Sequence, residues 1–268
     1  MERKLLREML KKEQLLVPCV YDCLSAKAAQ ATGFPAIMLS GCSISYAMDG
    51  LPDMAMATID ELIYATERIT ACTSLPLLID GDDGYGESPA VVYKNMKRLI
   101  QAGAQAVTIE DSTGIRGFER KIGWQNSSQE TPFHDDILSK EQWLAKIAAA
   151  VEACKGTDCM VIARTNSYTV EGLDGAIDRC VQARKLGAEM TLLCSGGLKN
   201  VEDAKIAAKK DIGWKVWPDI VSKNGIPNIK LEEVMEYGFN MVTCHVFEKG
   251  ALYGMMKQGT IQMGGLGT

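Results

Sequence analysis

The sequence lacks several features that would point to particular classes of protein. No apolar run reaches the length that spans a bilayer, which argues against a membrane protein. Positive charge is not in excess, because 29 lysines and arginines face 34 aspartates and glutamates, so the usual electrostatic basis for binding nucleic acid is missing. None of the 9 cysteines forms a C-x-x-C pair, and we expect reduced, mostly buried thiols.

The length and composition fit one globular domain. The chain has 268 residues, of which 47% are hydrophobic and 24% charged. A (β/α) barrel of about 250 residues accounts for this length as a single domain over residues 1–268. Residues 1–13 alternate charged and apolar side chains, which predicts an amphipathic helix rather than a secretion signal, so we expect a cytoplasmic protein.

One short pattern recurs along the chain: an amphipathic stretch, a glycine, and then an apolar run. Each glycine lies where a helix end needs a left-handed residue, and each run lacks the polar alternation of a half-solvated strand. The pattern therefore predicts helices leading into buried parallel strands. The clear examples are Gly33 before residues 36–39, Gly103 before 106–109, Gly187 before 190–193 and Gly238 before 241–244.

Eight strand and helix pairs follow from this reading, which predicts a closed (β/α)8 TIM-type barrel. An open doubly wound sheet is the alternative, but no G-x-G-x-x-G follows the first strand. Residues 112–136 lack apolar periodicity and are predicted to form a lid loop over the active site. The glycine-rich residues 259–268 are predicted to be a flexible tail. The predicted strands lie near residues 16–20, 36–39, 76–79, 106–109, 160–163, 191–193, 215–217 and 241–243.

The chemistry of such a barrel lies at the carboxyl ends of its strands, and several of these positions hold ionisable residues. They are Asp22 after the first strand, Asp80, Asp82 and Asp83 after the third, Glu110 and Asp111 after the fourth, Arg164 at the fifth, Asp219 after the seventh and His245 after the eighth. Bunched carboxylates repel one another unless a cation offsets them, and oxygen ligands at this density favour Mg²⁺. The alternative is that single aspartates are loop and cap residues on a solvated surface.

Two other positions carry weaker signals when taken alone. Arg164 can hold a substrate carboxylate with two hydrogen bonds, or it can be a structural partner of Glu110. Cys244 and His245 are adjacent, and neighbouring strand residues point to opposite faces, which argues against a nucleophile and base pair.

The motifs at these positions resemble those of the isocitrate lyase and phosphoenolpyruvate mutase superfamily, from Leu16 to about Met256. The resemblance rests on five segments: D-G-D-D-G-Y-G at 80–86, I-E-D at 109–111, I-A-R at 162–164, S-G-C-S at 40–43 and G-L-P-D at 50–53. It implies an Mg²⁺ site, in which Mn²⁺ can substitute, formed by Asp80 with Asp53, Asp82 and Glu110. It also implies a (β/α) barrel, and a homo-oligomer, a tetramer in that family, with a C-terminal helix at the contact.

The resemblance further implies roles in binding a small organic acid. Arg164 and the turn Ser40, Gly41 and Cys42 would grip its carboxylate, with Asp53 and Asp219 among the binding residues. Arg164, Tyr85, Lys121 and Glu110 would form the catalytic group. Members of the superfamily stabilise an enolate while a C–C or P–C bond breaks, which suits a divalent Lewis acid.

The sequence departs from the superfamily in the predicted lid. Its lyases carry a cysteine there as proton donor, whereas Ile122 stands at that position and Trp124 replaces the following histidine. We therefore favour an Mg²⁺-dependent lyase or decarboxylase acting on a small 2-oxo or 2-hydroxy diacid without that cysteine. The alternatives are a phosphoenolpyruvate mutase or phosphonopyruvate hydrolase, suggested by Lys121 near Asn126, and a non-catalytic binder of an organic acid.

Overall fold

The computed structural model of the chain describes residues 4–51, 53, 56–113, 137–194, 201–218, 222–223, 226–227 and 229–265. Eight parallel strands close into a barrel with the spatial order β1-β10-β7-β6-β5-β4-β3-β2. These are β1 Leu15–Val20, β2 Ile37–Leu39, β3 Leu77–Asp80, β4 Ala106–Glu110, β5 Met160–Thr165, β6 Met190–Leu193, β7 Trp214–Trp217 and β10 Met241–Cys244. The remaining strands, β8 Ser222–Lys223 and β9 Ile226–Pro227, pair with each other in an antiparallel hairpin. The predicted barrel is therefore confirmed.

Helices follow the barrel strands in the alternation that the sequence predicted. They are α1 Leu6–Leu10, α2 Cys23–Ala31, α3 Gly41–Ile44 continued by a π-helical turn Ser45–Asp49, α4 Ile59–Cys72, α5 Pro89–Ala102, α6 Lys140–Cys154, α7 Tyr168–Lys185, α8 Val201–Lys210, α9 Leu231–Glu236 and α10 Phe247–Gly265. Thr58 and Ser139 begin α4 and α6 with capping boxes. Gly103 and Gly187 take φ values of 106° and 108° where a helix turns into the next strand.

The core has two layers, because alternate strand residues point inward and outward. Leu78, Met160 and Ile162 pack inside the barrel, whereas Ile79 and Val107 pack outward against the helices. Helix α1 contributes apolar side chains to the inner cluster and closes the amino-terminal end of the barrel. The carboxyl ends of the strands are thus the end at which a site is expected.

Two boundaries differ from the sequence predictions. From residue 4 onward, where the structure describes the chain, the first helix covers Leu6–Leu10 and does not continue to the predicted end at residue 13. The last helix continues to Gly265, past the point where residues 259–268 were expected to form a tail. Isolated glycines weaken a helix by only about 1 kcal/mol each, so Gly259 and Gly264 do not end it. Within the described ranges, no helix combines the length and apolar character needed to cross a membrane.

Candidate active site

Three ionisable residues meet at the carboxyl ends of β3, β4 and β5. The strand register sets Glu110 beside Arg164. The guanidinium of Arg164 places Nη1 3.3 Å from Oδ1 of Asp80 and Nε 3.0 Å from Oε2 of Glu110. Thr108 donates a 2.8 Å hydrogen bond to the same Asp80 oxygen. Arg164, on β5, therefore links the carboxyl ends of β3 and β4.

The electrostatics of this cluster are dominated by negative charge. Burial disfavours the charged guanidinium, but the carboxylates of Glu110 and Asp80 outweigh this and raise the pKa of Arg164 above its ordinary value. Asp82 adds a further carboxylate close enough to act on the same guanidinium. Three carboxylates against one guanidinium leave an excess of negative charge that a divalent cation would neutralise.

The loop after β3 holds Asp82 and Tyr85 in unusual backbone conformations. Their φ values are 43° and 55°, in the left-handed region that side chains other than glycine rarely adopt. Tyr85 donates its hydroxyl to Oδ2 of Asp82 at 2.8 Å, and the Glu110 amide donates to the Asp82 carbonyl at 2.8 Å. Strain of this kind persists where the surroundings over-determine it, as at binding and catalytic sites. Tyr85 thus contacts Asp82 directly.

A second turn of the site comes from the end of β2. Ser40 caps helix α3, and its Oγ lies 3.5 Å from the Ser43 amide and 3.4 Å from Nε2 of His245. Gly41 brings this turn against the β3 loop, because a Cβ at Gly41 would lie 3.3 Å from Oδ2 of Asp82. Burial, and then the charge of Asp53, raise the pKa of the neighbouring thiol of Cys42 to about 12. That thiol is therefore protonated at neutral pH.

A cavity of about 1330 Å³ opens above these turns. Its walls include Ser40, Cys42, Asp53, Asp80 and Arg164, so the structure brings these predicted residues together. Three other predicted residues, Gly41, Asp82 and Glu110, are buried and do not line the cavity. Tyr85 lies beside Asp82 rather than on the wall, so any catalytic role for Tyr85 would be exerted through Asp82. The predicted residues Lys121 and Asp219, Ile122, and all of the predicted lid except 112–113 lie outside the described residues.

Two other acidic residues of the motifs, Asp83 and Asp111, pair with basic side chains outside the cavity wall. Asp83 pairs with the buried Lys146 at 3.1 Å. Asp111 is fully buried, accepts hydrogen bonds from Thr165 at 2.5 Å and from the Asn166 amide at 2.7 Å, and lies 3.2 Å from Nη1 of Arg179. The pair with Lys146 holds the β3 loop at Asp83, whereas the contacts of Asp111 join the ends of β4 and β5. The alternative of a solvated surface residue does not hold for Asp111, because Asp111 is fully buried.

The donor set has the chemistry that Mg²⁺ prefers. Oδ1 of Asp80 contacts Thr108 and Arg164, while its second oxygen has no hydrogen bond within the described part of the chain. Among the described residues, no three histidine, cysteine or acidic side chains are grouped as ligands of one ion. Mg²⁺ commonly binds through one or two carboxylates and keeps several waters, so a single direct aspartate is compatible with it. The residues present therefore fit Mg²⁺ held mainly by Asp80.

His245 is the residue that sequence reasoning undervalued. It follows β10, and the sequence predicted its place among the ionisable residues at the strand ends but suggested a role for it only as a partner of Cys244. The structure buries Cys244 and places His245 on the cavity wall. The useful signal was its position at the end of the eighth strand, because β10 and β2 flank β1 and their ends lie near each other.

A family profile that matches nearly the whole chain shows the family to which the chain belongs. The profile of the family described as phosphoenolpyruvate phosphomutase matches residues 6–263. The chain belongs to this family. The resemblance drawn from the motifs at 40–43, 80–86 and 109–111 is thereby confirmed.

Individual members of the family have several activities. The 2-methylisocitrate lyase of Escherichia coli is 37% identical over 188 residues, which are 70% of this chain and 60% of that protein. The oxaloacetate decarboxylase of Paraburkholderia xenovorans is 32% identical over 193 residues, or 72% of this chain and 60% of that protein. The crystal structure of 2,3-dimethylmalate lyase superposes with a TM-score of 0.81 at 27% identity, covering 98% of this chain and 87% of that one. The chain thus matches about three fifths of each curated relative.

Proposed function

We propose that the protein is an Mg²⁺-dependent lyase or decarboxylase that breaks a C–C bond of a small 2-oxo or 2-hydroxy diacid. The observation that carries the proposal is Arg164 set among Asp80, Glu110 and Asp82 at the carboxyl end of a (β/α)8 barrel. A guanidinium beside a divalent-ion site suits a substrate that carries a carboxylate next to a keto or hydroxyl oxygen. The relatives that cleave 2-methylisocitrate and oxaloacetate support the same reaction class.

Asp80 is the residue that would hold the metal, with Asp53, Asp82 and Glu110 reaching it directly or through water. Mg²⁺, or Mn²⁺ in its place, would offset the negative charge that develops on the substrate oxygen as the bond breaks. Tyr85 holds Asp82 by the hydrogen bond of 2.8 Å. Arg164 binds the substrate carboxylate, and the Ser40 turn lines the other side of the cavity. Asp219 and Lys121 complete the proposed substrate and catalytic residues.

A phosphoenolpyruvate mutase or phosphonopyruvate hydrolase is the competing candidate, favoured by the family profile itself. Proton and phosphorus NMR of the protein with oxaloacetate, 2-methylisocitrate, 2,3-dimethylmalate and phosphonopyruvate, with Mg²⁺ and with chelator, separates the two. The C–C proposal expects Mg²⁺-dependent cleavage of a carbon acid above the metal-only background while phosphonopyruvate persists. Consumption of phosphonopyruvate alone would replace it with the P–C candidate, and tight binding without turnover of any acid would favour a non-catalytic binder.

Asp80 provides the sharpest variant for this assay. Asp80→Asn removes the charge that would hold the metal but keeps the hydrogen-bonding shape, so turnover should fall to the metal-only background. Asp60→Asn is the matched control, because Asp60 is an exposed residue in the first turn of α4. Full turnover by Asp80→Asn would remove the metal assignment.

We also propose four properties of the whole protein, which are a lid, a single domain, a cytoplasmic location and a homo-oligomeric state. Residues 112–136 form a lid, and the barrel is a single domain over residues 1–268. The protein is a cytoplasmic homo-oligomer, a tetramer as in the resembling family, with α10 at the contact. Support for the contact comes from large apolar side chains of α10 that are exposed in the single chain, namely Leu252, Tyr253, Met255, Met256, Ile261 and Met263.

A further inference from the structure

Cleavage of a C–C bond leaves its electron pair on carbon, and that carbon must gain a proton before the product leaves. The residue type at position 122, isoleucine, cannot supply one. A proton donor must therefore come from another part of the site. The assignment of that donor rests on the proposed function, because only a cleavage reaction requires residues of this chain to deliver the proton.

Ser40 and His245 are in hydrogen-bonding distance on the cavity wall. Oγ of Ser40 lies 3.4 Å from Nε2 of His245, and the Ser40 side chain is 2% exposed. The two residues come from opposite sides of β1, since β2 and β10 are its neighbours in the barrel. Both line the same cavity as Asp80 and Arg164. A hydroxyl backed by an imidazole is a combination that moves protons near neutral pH.

The surroundings of His245 carry charges of both signs. Tyr21 and Asp22 face the cavity from the end of β1, and Glu248 and Lys249 face it from the first turn of α10. Asp22 is engaged as the cap of α2 through Ser25. One carboxylate oxygen of Glu248 is buried without a hydrogen bond in the described structure.

We propose that Ser40 and His245 form the proton relay of the reaction. When the C–C bond of a 2-oxo diacid such as oxaloacetate breaks, CO₂ leaves and the electron pair stays on the other fragment as the enolate of pyruvate. The Ser40 O–H bond then breaks as a C–H bond forms on that carbon. The Nε2–H bond of His245 breaks as the Ser40 O–H bond re-forms, and water returns a proton to the imidazole. Ser40 is the residue that touches the substrate, and His245 acts through it.

Hydrogen exchange of pyruvate tests this relay without requiring bond cleavage, because loss of a methyl proton is the reverse of the last step. The experiment incubates the protein with pyruvate and Mg²⁺ in D₂O and follows loss of the methyl signal by proton NMR. The relay predicts that His245→Gln and Ser40→Ala slow both this exchange and turnover of the cleaved acid by about 100-fold. In His245→Gln, pyruvate binding measured by titration calorimetry should stay within about threefold of the wild type, because His245 acts through Ser40 and does not touch the substrate. Val246→Ala, at an exposed neighbour outside the cavity wall, is the control.

A second readout separates proton transfer from packing. Added imidazole bases should restore exchange to a His245→Ala variant, with rates that follow the basicity of the added base. Exchange and turnover by His245→Gln within about threefold of the wild type would overturn the relay alone. Loss of exchange accompanied by equal loss of pyruvate binding would assign His245 a structural role, and cleavage by the wild type without any exchange would also overturn the relay. Absence of both cleavage and exchange in the wild type would remove the proposed function itself.

Discussion

Nε of Arg164 lies 3.0 Å from Oε2 of Glu110, in a pair where the carboxylate is almost fully buried. The two residues are register partners on β4 and β5, so the strand pairing itself brings them together. The Nη1 atom of the same guanidinium lies 3.3 Å from Asp80. Because arginine has a planar fork of donors, it can contact both acids and still present an edge to the cavity.

Arg164→Lys tests whether catalysis requires the planar set of donors of the Arg164 guanidinium. Lysine keeps the charge but offers a single point of contact, so we expect kcat/KM for the cleaved acid to fall by about 100-fold with the fold intact. Steady-state kinetics and circular dichroism measure the two quantities. Arg7→Lys is the matched control, because Arg7 forms a comparable pair with Glu189 near the closed end of the barrel. Equal activity of both variants would argue against Arg164 as the carboxylate clamp.

Metal binding should stabilise the folded protein through Asp80. A ligand that binds only the folded state adds about 2.7 kcal/mol at 100 times its Kd, so Tm should rise with Mg²⁺ concentration. We expect Asp80→Asn to abolish this rise and Asp60→Asn to preserve it. Differential scanning calorimetry with Mg²⁺ and with chelator makes the comparison. A rise of the same size in Asp80→Asn would place the metal elsewhere.

The barrel could be predicted from the sequence because each of its signals is local. Gly103 and Gly187 mark helix ends, because they adopt a positive φ that other residues rarely adopt. The capping box at Thr58 marks a helix start through two residues that are only three positions apart. Eight strands predict a barrel, and in such barrels the active site lies at the carboxyl ends of the strands. Asp80 and Arg164 were therefore predicted to lie in one site. The exact ends of the strands could not be predicted, since β5 continues to Thr165, two residues past its predicted end at 163.

The sequence offered Glu110 as one possible partner of Arg164, but most partners within the site could not be predicted, because several acids lie within reach of each basic side chain. Asp111 and Glu110 are adjacent in the sequence, yet Glu110 turns to Arg164 and Asp111 to Arg179. Strand alternation predicts that the two side chains point to opposite sides of the strand, but it does not say which one faces Arg164. The pairing of His245 with Ser40 likewise depends on barrel closure, which brings β10 to β1.

Arg179 should be essential to stability rather than to metal binding. Its side chain is 2% exposed and contacts Asp111 at 3.2 Å and Glu171 at 2.6 Å. Arg179→Met would leave the fully buried Asp111 carboxylate without its charged partner, which destabilises a protein by about 3–5 kcal/mol. Urea unfolding should show this loss, whereas Lys140→Met at an exposed pair with Asp178 should change the midpoint little.

The outcome for Arg179 also bears on Asp111. If Asp111 is a structural residue, Asp111→Asn should lower the urea midpoint while leaving the Mg²⁺ affinity of the folded protein unchanged. Calorimetric titration with Mg²⁺ below the unfolding range measures that affinity. A loss of Mg²⁺ binding in Asp111→Asn with unchanged stability would instead make Asp111 part of the metal site.

Gly81 lies between the two acids Asp80 and Asp82, where the chain passes very close to β4. A Cβ at Gly81 would collide with the carbonyl oxygen of Thr108 and lie 2.7 Å from Cγ1 of Val107. Neither neighbour can move freely, since one is backbone and the other is a branched side chain in the core. Gly81→Ala should therefore lower the free energy of unfolding by about 1–3 kcal/mol and displace both acids, reducing Mg²⁺ affinity.

Gly250→Ala is the control for this substitution. No atom lies within 4 Å of a Cβ built at Gly250, which is inside helix α10, so alanine there should be neutral or stabilise by up to about 1 kcal/mol. Urea unfolding and Mg²⁺ titration of both variants separate steric pressure from a general effect of alanine. Because one steric clash at Gly81 would cause both changes, the loss of stability and the loss of Mg²⁺ affinity should occur together in Gly81→Ala. Conversely, a Gly81→Ala variant with unchanged stability and metal affinity would mean that the β3 loop can shift without disturbing Asp80.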